Sequence, residues 1–197
     1  AITMDKDKTK QIAQSVGIKV PKAYRTVEKI ERFPVIIKPV DEGSSKGVFL
    51  CNNREEAEEA VKKLARPIIE DYIVGEELTV GVLNGKALGV LKIIPQADVL
   101  YDYDSKYADG GSIHEFPAKI EDKSYKEAMK IAEKVHSEFG MKGISRSDFI
   151  LSDGELYFLE VNSSPGMTKT SLIPDLATLK GYTFDDVVRI TVETFLK

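Results

Sequence analysis

The chain has 197 residues, enough for one large domain or two small lobes, and its 42% hydrophobic and 30% charged residues are ordinary for a soluble globular protein. Its net charge of −4 gives no general attraction to nucleic acid or to an anionic membrane, so neither is predicted as a partner. A single cysteine, Cys51, excludes an internal disulfide, and no stretch resembles a membrane span or a signal peptide, so a cytoplasmic location is predicted.

The first part of the sequence predicts a helix and then a strand that carries a lysine. Asp5 can cap a helix that ends at Gly17. A short strand bounded by prolines is predicted at 33–39, and its Lys38 is costly to bury unless it meets an anion. The glycine and serine residues of 41–47 predict a loop whose N–H groups and hydroxyls converge on phosphate oxygens. Because the loop has neither a Walker A nor a dinucleotide spacing, a plain hairpin tip and a solvent-exposed Lys38 remain the alternatives.

The middle of the chain predicts one helix, one strand and one hairpin. Asn53 can cap the helix, and Asn84-Gly85 is the clearest hairpin turn in the sequence. The predicted ranges are 54–64 for the helix, 67–74 for the strand, and 77–83 with 86–94 for the hairpin. A lobe boundary is predicted near Gly75, which gives a small lobe of residues 1–75 and a large lobe of residues 76–197.

Regular periodicity fails between residues 95 and 111, where tyrosines alternate with charged residues. A loop of that length inside a compact domain is usually functional, often as a lid over an active site. A tyrosine-rich surface loop without a role is the alternative. Two further amphipathic helices are predicted, at 123–139 and 183–196.

Between those helices, residues 146–167 predict a hairpin with polar side chains on a buried face. Successive residues of a strand point to opposite faces, so alternate residues lie together. The large apolar neighbours argue against the alternative, a solvated hairpin with charges on its rim. The side chains predicted to share a face are Arg146, Asp148 and Ile150 in the first strand, and Phe158, Glu160 and Asn162 in the second.

The turn of this hairpin decides whether its acidic groups meet. A two-residue turn at Asp153-Gly154 would set Asp148 opposite Leu159, leaving Glu160 on the other face. A three-residue loop with Gly154 left-handed sets Asp148 opposite Phe158 instead, with Glu160 as a diagonal neighbour about 7 Å away. The three-residue loop is predicted, because it lets two carboxylates share a cation. The predicted ligands of this Mg²⁺ site are Asp148, Glu160 and the amide oxygen of Asn162.

As a whole, the sequence resembles the D-alanine–D-alanine ligases, which belong to the ATP-grasp superfamily. Seven segments match in the family's order and nearly span the chain. They are Met4-Asp-Lys6, Phe33-Pro-Val-Ile-Ile-Lys-Pro39, Glu42-Gly-Ser-Ser-Lys-Gly47, Gly75-Glu-Glu-Leu-Thr79, Tyr101-Asp-Tyr-Asp-Ser-Lys-Tyr107, Ser145-Arg-Ser-Asp148 and Leu159-Glu-Val-Asn-Ser-Ser-Pro-Gly-Met-Thr168. The resemblance implies an α+β ATP-grasp fold, with two lobes that close on ATP, and a role in peptidoglycan synthesis.

The resemblance also implies a nucleotide site and a metal centre. In the nucleotide site, two lysines would contact the ATP phosphates and two serines would cover the phosphates. Three further residues would hold the adenine and the ribose. The residues at these positions are Lys6 and Lys38 for the phosphate contacts, Ser44 and Ser45 for the covering loop, Glu70 and Ile73 for the adenine, and Glu77 for the ribose. The positions of two Mg²⁺ or Mn²⁺ ions match Asp148, Glu160 and Asn162.

The implied reaction joins two D-alanine molecules through an acylphosphate. Arg146 and the backbone of Gly166, with Ser45 of the phosphate loop, would stabilise the reacting groups, and Ser171 would receive the carboxylate of the second D-alanine. Lys106 and Tyr107 match residues of the lid. Ligation of D-alanine to D-lactate, another amino-acid ligation, and nucleotide binding without ligation are the alternatives.

The sequence departs from the family in two respects. Ser147 replaces the usual aliphatic residue between the arginine and the aspartate, which is tolerable if that side chain faces away from the metal. The family's amino-terminal domain, which helps to hold the first D-alanine, is not contained in these residues, so a fragment or a partner that supplies this wall is expected. Binding of Mg-ATP with weakened ligation follows, and a homodimer is a further assembly to consider.

Overall fold

The computed structural model describes residues 2–43, 46–95, 112–168 and 171–196. The chain divides into two compact units, one formed by Ala1–Val74 and Ile94–Ile113 and the other by Gly75–Ile93 and His114–Lys197. Among the helices described, none is both long enough and apolar enough to cross a membrane. The assignment of small-lobe and large-lobe roles to 1–75 and 76–197 stays a prediction.

The first unit contains a four-stranded antiparallel sheet in the order β1-β4-β2-β3. The Asp5 side chain accepts the N–H of Lys8 at 3.0 Å and so caps the first helix, and Asn53 accepts the N–H of Glu56 at 3.0 Å and caps the second. The elements are α1 (Lys6–Ser15), β1 (Ala23–Tyr24), β2 (Val35–Pro39), β3 (Phe49–Cys51), α2 (Arg54–Lys62) and β4 (Pro67–Asp71).

The core of the first unit lies between this sheet and α2. Alternate residues of β2 point toward it, so Val35 and Ile37 are fully buried, and the small side chains of Ala57 and Ala60 let the helix approach closely. Cys51 is buried in the same cluster. These contacts fix β2 and β4, the two strands that carry the polar residues of the unit.

The second unit contains a five-stranded sheet in the order β7-β6-β5-β8-β9. Two of its turns have two residues with positive φ at both positions, at Asn84-Gly85 and at Asp153-Gly154. This conformation suits the twist of a tight hairpin, and Asn, Asp and Gly adopt it most readily. The elements are β5 (Glu76–Leu83), β6 (Lys86–Pro95), β7 (Ser112–Glu115), α3 (Asp122–Glu138), β8 (Ile144–Ser152), β9 (Glu155–Asn162), α4 (Leu172–Thr178) and α5 (Phe184–Leu196).

Helices cover parts of both faces of this sheet. On one face, His136 of α3 lies with its Nδ1 2.7 Å from the Oγ of Ser145, and both residues are buried. Burial lowers the pKa of His136 and so favours the neutral imidazole. On the other face, Gly81 of β5 pairs with Arg146, and a Cβ on Gly81 would come 3.0 Å from the Cδ1 of Ile173 in α4. The side chains of Arg146 and α4 therefore share a face.

The predicted three-residue loop of the β8–β9 hairpin is wrong. Ser152 pairs with Glu155 across a two-residue turn, and a β-bulge later in the hairpin shifts the register. Phe149 pairs with Phe158, whereas Asp148 pairs with Glu160, so Leu159 is an extra residue in β9.

The bulge at Leu159 also changes the face of the sheet to which the later residues of β9 point. Phe158 was expected beside Glu160, but it packs edge-on against Phe149 in the core, with 5.8 Å between ring centroids. Glu160 instead shares a face with Asp148, because directly opposed residues of an antiparallel pair point the same way.

Most of the predicted elements match the observed helices and strands within a few residues, including 54–64, 67–74, 123–139 and 183–196. Helix α4 was not predicted, and neither were the short strands β1 and β7. The long loop predicted at 95–111 lies almost entirely outside the described residues.

Candidate active site

Three charged residues from three elements meet inside the first unit. Glu70 of β4 is fully buried, and its Oε2 lies 2.9 Å from the Nζ of Lys38 on β2. Its Oε1 accepts a hydrogen bond from the Nζ of Lys10 on α1, which is also buried. Lys38 is thus held by a carboxylate and is not extended into solvent.

The electrostatics of this cluster keep Glu70 ionised. Burial by itself raises the pKa of a carboxyl group, because it disfavours the charged form. The ammonium groups of Lys10 and Lys38 outweigh burial and lower the pKa of Glu70 to about 2. The carboxylate is therefore a permanent anion near neutral pH, and both lysines are oriented toward it.

The start of α1 is tied to the beginning of the glycine-serine loop. The N–H of Lys6 donates to the carbonyl of Val40 at 3.0 Å, and its Nζ donates to the carbonyl of Glu42. Arg66 bridges Asp5 and Asp41, each at 3.2 Å. Lys6 is thereby fixed at the base of this loop, whose two serines, Ser44 and Ser45, lie outside the described residues.

The predicted hinge residue Ile73 follows β4 in a segment without regular secondary structure and is half-buried. Glu77, predicted to bind the ribose, belongs to β5 and pairs with Ile150 of β8 and Ile93 of β6. Lys6, Lys38, Glu70 and Ile73 belong to the first unit, and Glu77 belongs to the second.

A hydrogen-bonded cluster surrounds Asp148 in the second unit. Arg146 donates to both carboxylate oxygens of Asp148, from Nε to Oδ1 at 3.0 Å and from a terminal nitrogen to Oδ2 at 2.8 Å. Thr79 of the neighbouring strand β5 donates its hydroxyl to Oδ1 at 2.6 Å. Asp148 and Thr79 are buried, so these bonds fix the position of the carboxylate.

Glu160 and Asn162 complete this polar face. Glu160 is directly opposite Asp148, and Asn162 is directly opposite Arg146. The Oδ1 of Asn162 accepts the N–H of Ser164 at 2.9 Å, which orients the side-chain amide. The side chains of Arg146, Asp148, Glu160 and Asn162 therefore lie together on one face of the sheet.

The oxygen atoms on this face suit a hard divalent cation. Mg²⁺ prefers carboxylate and amide oxygens, and two opposed carboxylates with a neighbouring amide supply that set. No group of three or more His, Cys, Asp and Glu side chains that could hold a metal occurs among the described residues, so the site relies on two acids and Asn162. The Arg146 guanidinium supplies positive charge beside Asp148 here.

Gly166 and Ser171 are also brought together. The Oγ of Ser171 accepts the N–H of Thr168 at 3.0 Å and lies 2.8 Å from the Oγ1 of Thr168. A Cβ on Gly166 would come 2.8 Å from that same Ser171 oxygen. Ser171 precedes α4, the helix on the Arg146 face of the sheet, so this turn belongs to the same side of the unit.

Lys106 and Tyr107, the predicted lid residues, lie outside the described residues.

The sequence analysis did not predict Lys10 as a member of the Glu70 cluster or Thr79 as a member of the Asp148 cluster. Lys10 lies one helical turn after Lys6, so the i, i+4 spacing of two lysines on one helix face was the available signal. Thr79 occurs in a matched segment, but only the strand pairing shows that it meets Asp148.

Ser147, the departure from the family pattern, faces away from the cluster. It pairs with Val161 and Val80, alternates with Arg146 and Asp148, and is fully buried. Its Oγ has no hydrogen-bond partner among the residues that the structure describes. The substitution therefore does not alter the polar face directly.

Comparison with known proteins decides the family. Residues 6–193 match the family model described as D-ala D-ala ligase C-terminus. The chain belongs to the D-alanine–D-alanine ligase family. It is 92% identical over its whole length to the D-alanine–D-alanine ligase of Fusobacterium nucleatum and spans 69% of that protein.

Two solved ligase structures have the same fold. The D-alanine–D-alanine ligase of Bacillus anthracis complexed with ATP superposes with a TM-score of 0.80 at 25% identity, over 99% of this chain and 65% of that one. The VanG D-Ala:D-Ser ligase of Enterococcus faecalis superposes with a TM-score of 0.85 at 27% identity, over 99% and 62%. The predicted family and the predicted α+β ATP-grasp fold are confirmed.

Proposed function

We propose that this chain is the catalytic ATP-grasp region of a D-alanine–D-alanine ligase, which uses ATP to join two D-alanine molecules for peptidoglycan synthesis. The observation that carries the proposal is the polar face of β8 and β9, where Arg146, Asp148, Glu160 and Asn162 meet. The 92% identity to a ligase of that name supports the same assignment, as the sequence predicted.

The reaction must overcome the low reactivity of a carboxylate toward amines. Transfer of the γ-phosphoryl group of ATP to a carboxylate oxygen of the first D-alanine gives ADP and an acylphosphate. The amine of the second D-alanine then attacks the acyl carbon, the amine loses a proton, and inorganic phosphate leaves as the peptide bond forms. Positioning and charge stabilisation are the protein's main contributions to both steps.

The predicted metal centre supports the first step. Asp148, Glu160 and Asn162 would hold two Mg²⁺ or Mn²⁺ ions. When bound, such an ion neutralises phosphate oxygens during transfer. The chain orients these ligands itself, through Thr79 and Arg146 on Asp148 and through the Ser164 N–H on Asn162.

Arg146 is suited to stabilise negative charge in the second step. Its guanidinium is only partly buried and is held by Asp148 in a two-point contact, so its orientation is set before substrate arrives. An attack on the acyl carbon concentrates charge on the acyl oxygen, which an oriented guanidinium and the Gly166 backbone N–H can offset.

Lys6 and Lys38 are proposed to contact the ATP phosphates, with Ser44 and Ser45 covering them. The support is that Lys6 is tied to the base of the glycine-serine loop and that Lys38 is held at one end of β2 by Glu70. Ile73 would line the adenine site and Glu77 would bind the ribose. Glu70, predicted to hold the adenine with Ile73, is proposed to act there and also on the phosphate contacts through Lys38, which its carboxylate holds.

Ser171 is proposed to receive the carboxylate of the second D-alanine. Its hydroxyl is already oriented by Thr168, and Gly166 leaves the space that a larger residue would fill. Lys106 and Tyr107 are proposed to close over the site. The wall that holds the first D-alanine is proposed to come from residues beyond these 197, which fits the 69% span of the relative.

The test is ligation by this chain and by the longer Fusobacterium relative, assayed side by side. Each protein is incubated with ATP, Mg²⁺ and D-alanine, and phosphate release and dipeptide are measured. We expect D-alanyl-D-alanine from the relative and strong Mg-ATP binding with much slower ligation from this chain. D-lactate and D-serine are included as acceptors, because the fold is shared with a D-Ala:D-Ser ligase. Preferred use of either would replace the proposed substrate, and binding without any ligation by the longer protein would favour a nucleotide-binding role.

A further inference from the structure

Lys10 is the least expected member of the cluster in the first unit. It lies in the middle of α1, yet only 4% of this lysine is exposed. Its ammonium group donates to Oε1 of Glu70, while Lys38 takes Oε2. One carboxylate therefore links α1, β4 and β2, with a different lysine on each oxygen.

We propose that Lys10 is a positioning residue of the nucleotide site, which fixes the Glu70 carboxylate so that its second oxygen holds the Lys38 ammonium group in place for a phosphate. The inference rests on the proposed function, in which Lys38 contacts ATP. Lys10 itself touches neither ATP nor substrate in this role.

A purely structural role explains the cluster less well. Buried ion pairs commonly add little stability, because desolvation offsets the attraction, and apolar residues of similar size often serve the fold as well. Met at position 10 would fill similar volume on α1 without a desolvation cost. What it could not do is hold one oxygen of Glu70. Geometry at Lys38 is thus the property that Lys10 supplies.

The position of Lys38 depends on this arrangement in a simple way. A carboxylate with one ligand can rotate about its terminal bond, whereas a carboxylate held at both oxygens cannot. Lys38 reaches the cluster from the end of β2, and its side chain has many rotamers if its anchor moves. Misplacing a reactive group by about 1 Å can reduce its contribution up to about a hundredfold.

The charged groups that act on Glu70 are Lys10 from α1 and Lys38 from β2, and β1 presents Ala23 at the opposing position. With Lys10 removed, one of the two cations that oppose the effect of burial is lost. The pKa of Glu70 must then rise, and protonation would release Lys38 as the pH falls. Acid weakening of Mg-ATP binding should therefore begin at a higher pH in the variant than in the unsubstituted chain.

The test measures the Kd of Mg-ATP by calorimetry between pH 8 and pH 6 for the 197-residue chain and its variants. For Lys10→Met we expect a Kd about tenfold higher at pH 8, with a ratio to the unsubstituted chain that is at least as large at pH 6. The ratio cancels the titration of the nucleotide itself. Lys10→Arg restores the charge and should return the Kd to within about threefold, with a flat ratio.

The control variant is Tyr24→Phe, which removes a hydrogen bond to the buried Asp71 in the same unit and leaves the Glu70 cluster intact. Suppose that Tyr24→Phe loses as much thermal stability as Lys10→Met but keeps its affinity for Mg-ATP. General destabilisation then does not explain the weaker binding of Lys10→Met. Should Lys10→Met not fold, the double variant Lys10→Met with Glu70→Gln replaces the buried carboxylate by a neutral amide and leaves Lys38 without its anion. This variant is expected to bind weakly with a flat pH ratio.

Two results would overturn the inference. One is a folded Lys10→Met, or a folded double variant, with a Kd within about twofold of the unsubstituted chain at both pH values. The other is a weakened Lys10→Met whose affinity is not restored by Lys10→Arg. Failure of the unsubstituted chain to bind Mg-ATP would be a different outcome, since it would refute the proposed function on which the inference rests.

Discussion

Asp148 and Glu160 face each other directly across β8 and β9, because Leu159 is an extra residue in the second strand. With a two-residue turn and regular pairing, Asp148 would instead face Leu159 and the two carboxylates would lie on opposite faces of the sheet. The candidate metal site of this chain thus depends on a bulge.

Glu160→Gln tests that site without changing the shape of the side chain. Removing one of two opposed carboxylates should weaken the gain in ATP affinity that Mg²⁺ or Mn²⁺ provides by about tenfold or more, while the fold persists. Calorimetric titration with ATP, with and without the metal, measures this gain. Glu155→Gln at the exposed start of the same strand is the matched control. If the metal raises the ATP affinity of Glu160→Gln as much as that of the unsubstituted chain, Glu160 is not a ligand of the metal.

Thr79→Val tests the hydrogen bond that fixes Asp148. The change keeps the shape of the buried side chain but removes the donor to Oδ1. Because hydrogen bonds to charged groups are the stronger ones, we expect the free energy of unfolding to fall by about 1.5 to 3 kcal/mol and Mg-ATP binding to weaken. Urea unfolding gives the first quantity.

Thr191→Val is the matched control for that experiment. The same substitution is made in the same unit, but the Oγ1 of Thr191 is buried and no described residue forms a hydrogen bond with it. Its loss should leave stability unchanged or raise it slightly. Equal destabilisation by the two substitutions would contradict the role assigned to Thr79.

Ser147→Ala should stabilise the second unit. The hydroxyl is fully buried and has no partner in the described part of the chain, so the folded state carries a desolvation cost that alanine avoids. We expect the free energy of unfolding to rise by about 1 kcal/mol, measured by urea unfolding at neutral pH. Mg-ATP binding should not change, because the side chain points away from Asp148. A loss of stability would mean that the hydroxyl has a partner in solution.

The stability of the first unit should depend on pH through Glu70. Its pKa is lowered from the model-compound value of 4.5 to about 2 in the folded chain, so the charged form stabilises the fold above pH 4.5. That contribution, on the order of 3 kcal/mol, is lost as the pH falls from 4.5 toward 2. Unfolding by urea at a series of pH values measures it.

Glu70→Gln should flatten this dependence and lower stability at neutral pH by about 3 to 5 kcal/mol, since two buried lysines lose their anion. Glu58→Gln, an exposed change on α2, is expected to leave both quantities as they are. A steep acid transition that persists in Glu70→Gln would assign the effect to other carboxyl groups.

Local signals predicted much of the fold. Asp5 and Asn53 are cap residues followed by amphipathic helices, and Asn84-Gly85 specifies a tight turn, so each element was set by residues close to it in sequence. Helix α4 was hidden by Pro174, which usually ends a helix. Here it occupies the first turn, where a missing N–H costs nothing.

The candidate site was only partly predictable, for physical reasons. The residue types at Asp148, Glu160 and Asn162 indicated a cation site. The face of the sheet to which these side chains point depended on the bulge at Leu159, and no glycine, proline or other turn residue marks that bulge in the sequence. The burial of Lys10 depends on where α1 packs against Glu70, a contact of residues 60 positions apart. Such long-range contacts leave no periodicity in the sequence.

The bulge makes the pairing of Leu159, and not its side chain, the feature on which the polar face depends. If this half-exposed leucine joined the ladder as a regular residue, Glu160, Val161 and Asn162 would turn over together, and an apolar group would replace the acidic and amide groups on the polar face. Deleting the position would instead remove the bulge and keep Phe158 opposite Phe149 and Glu160 opposite Asp148. Relatives and engineered variants can therefore differ in the residue at this position, or lack it, as long as Asp148 stays paired with Glu160.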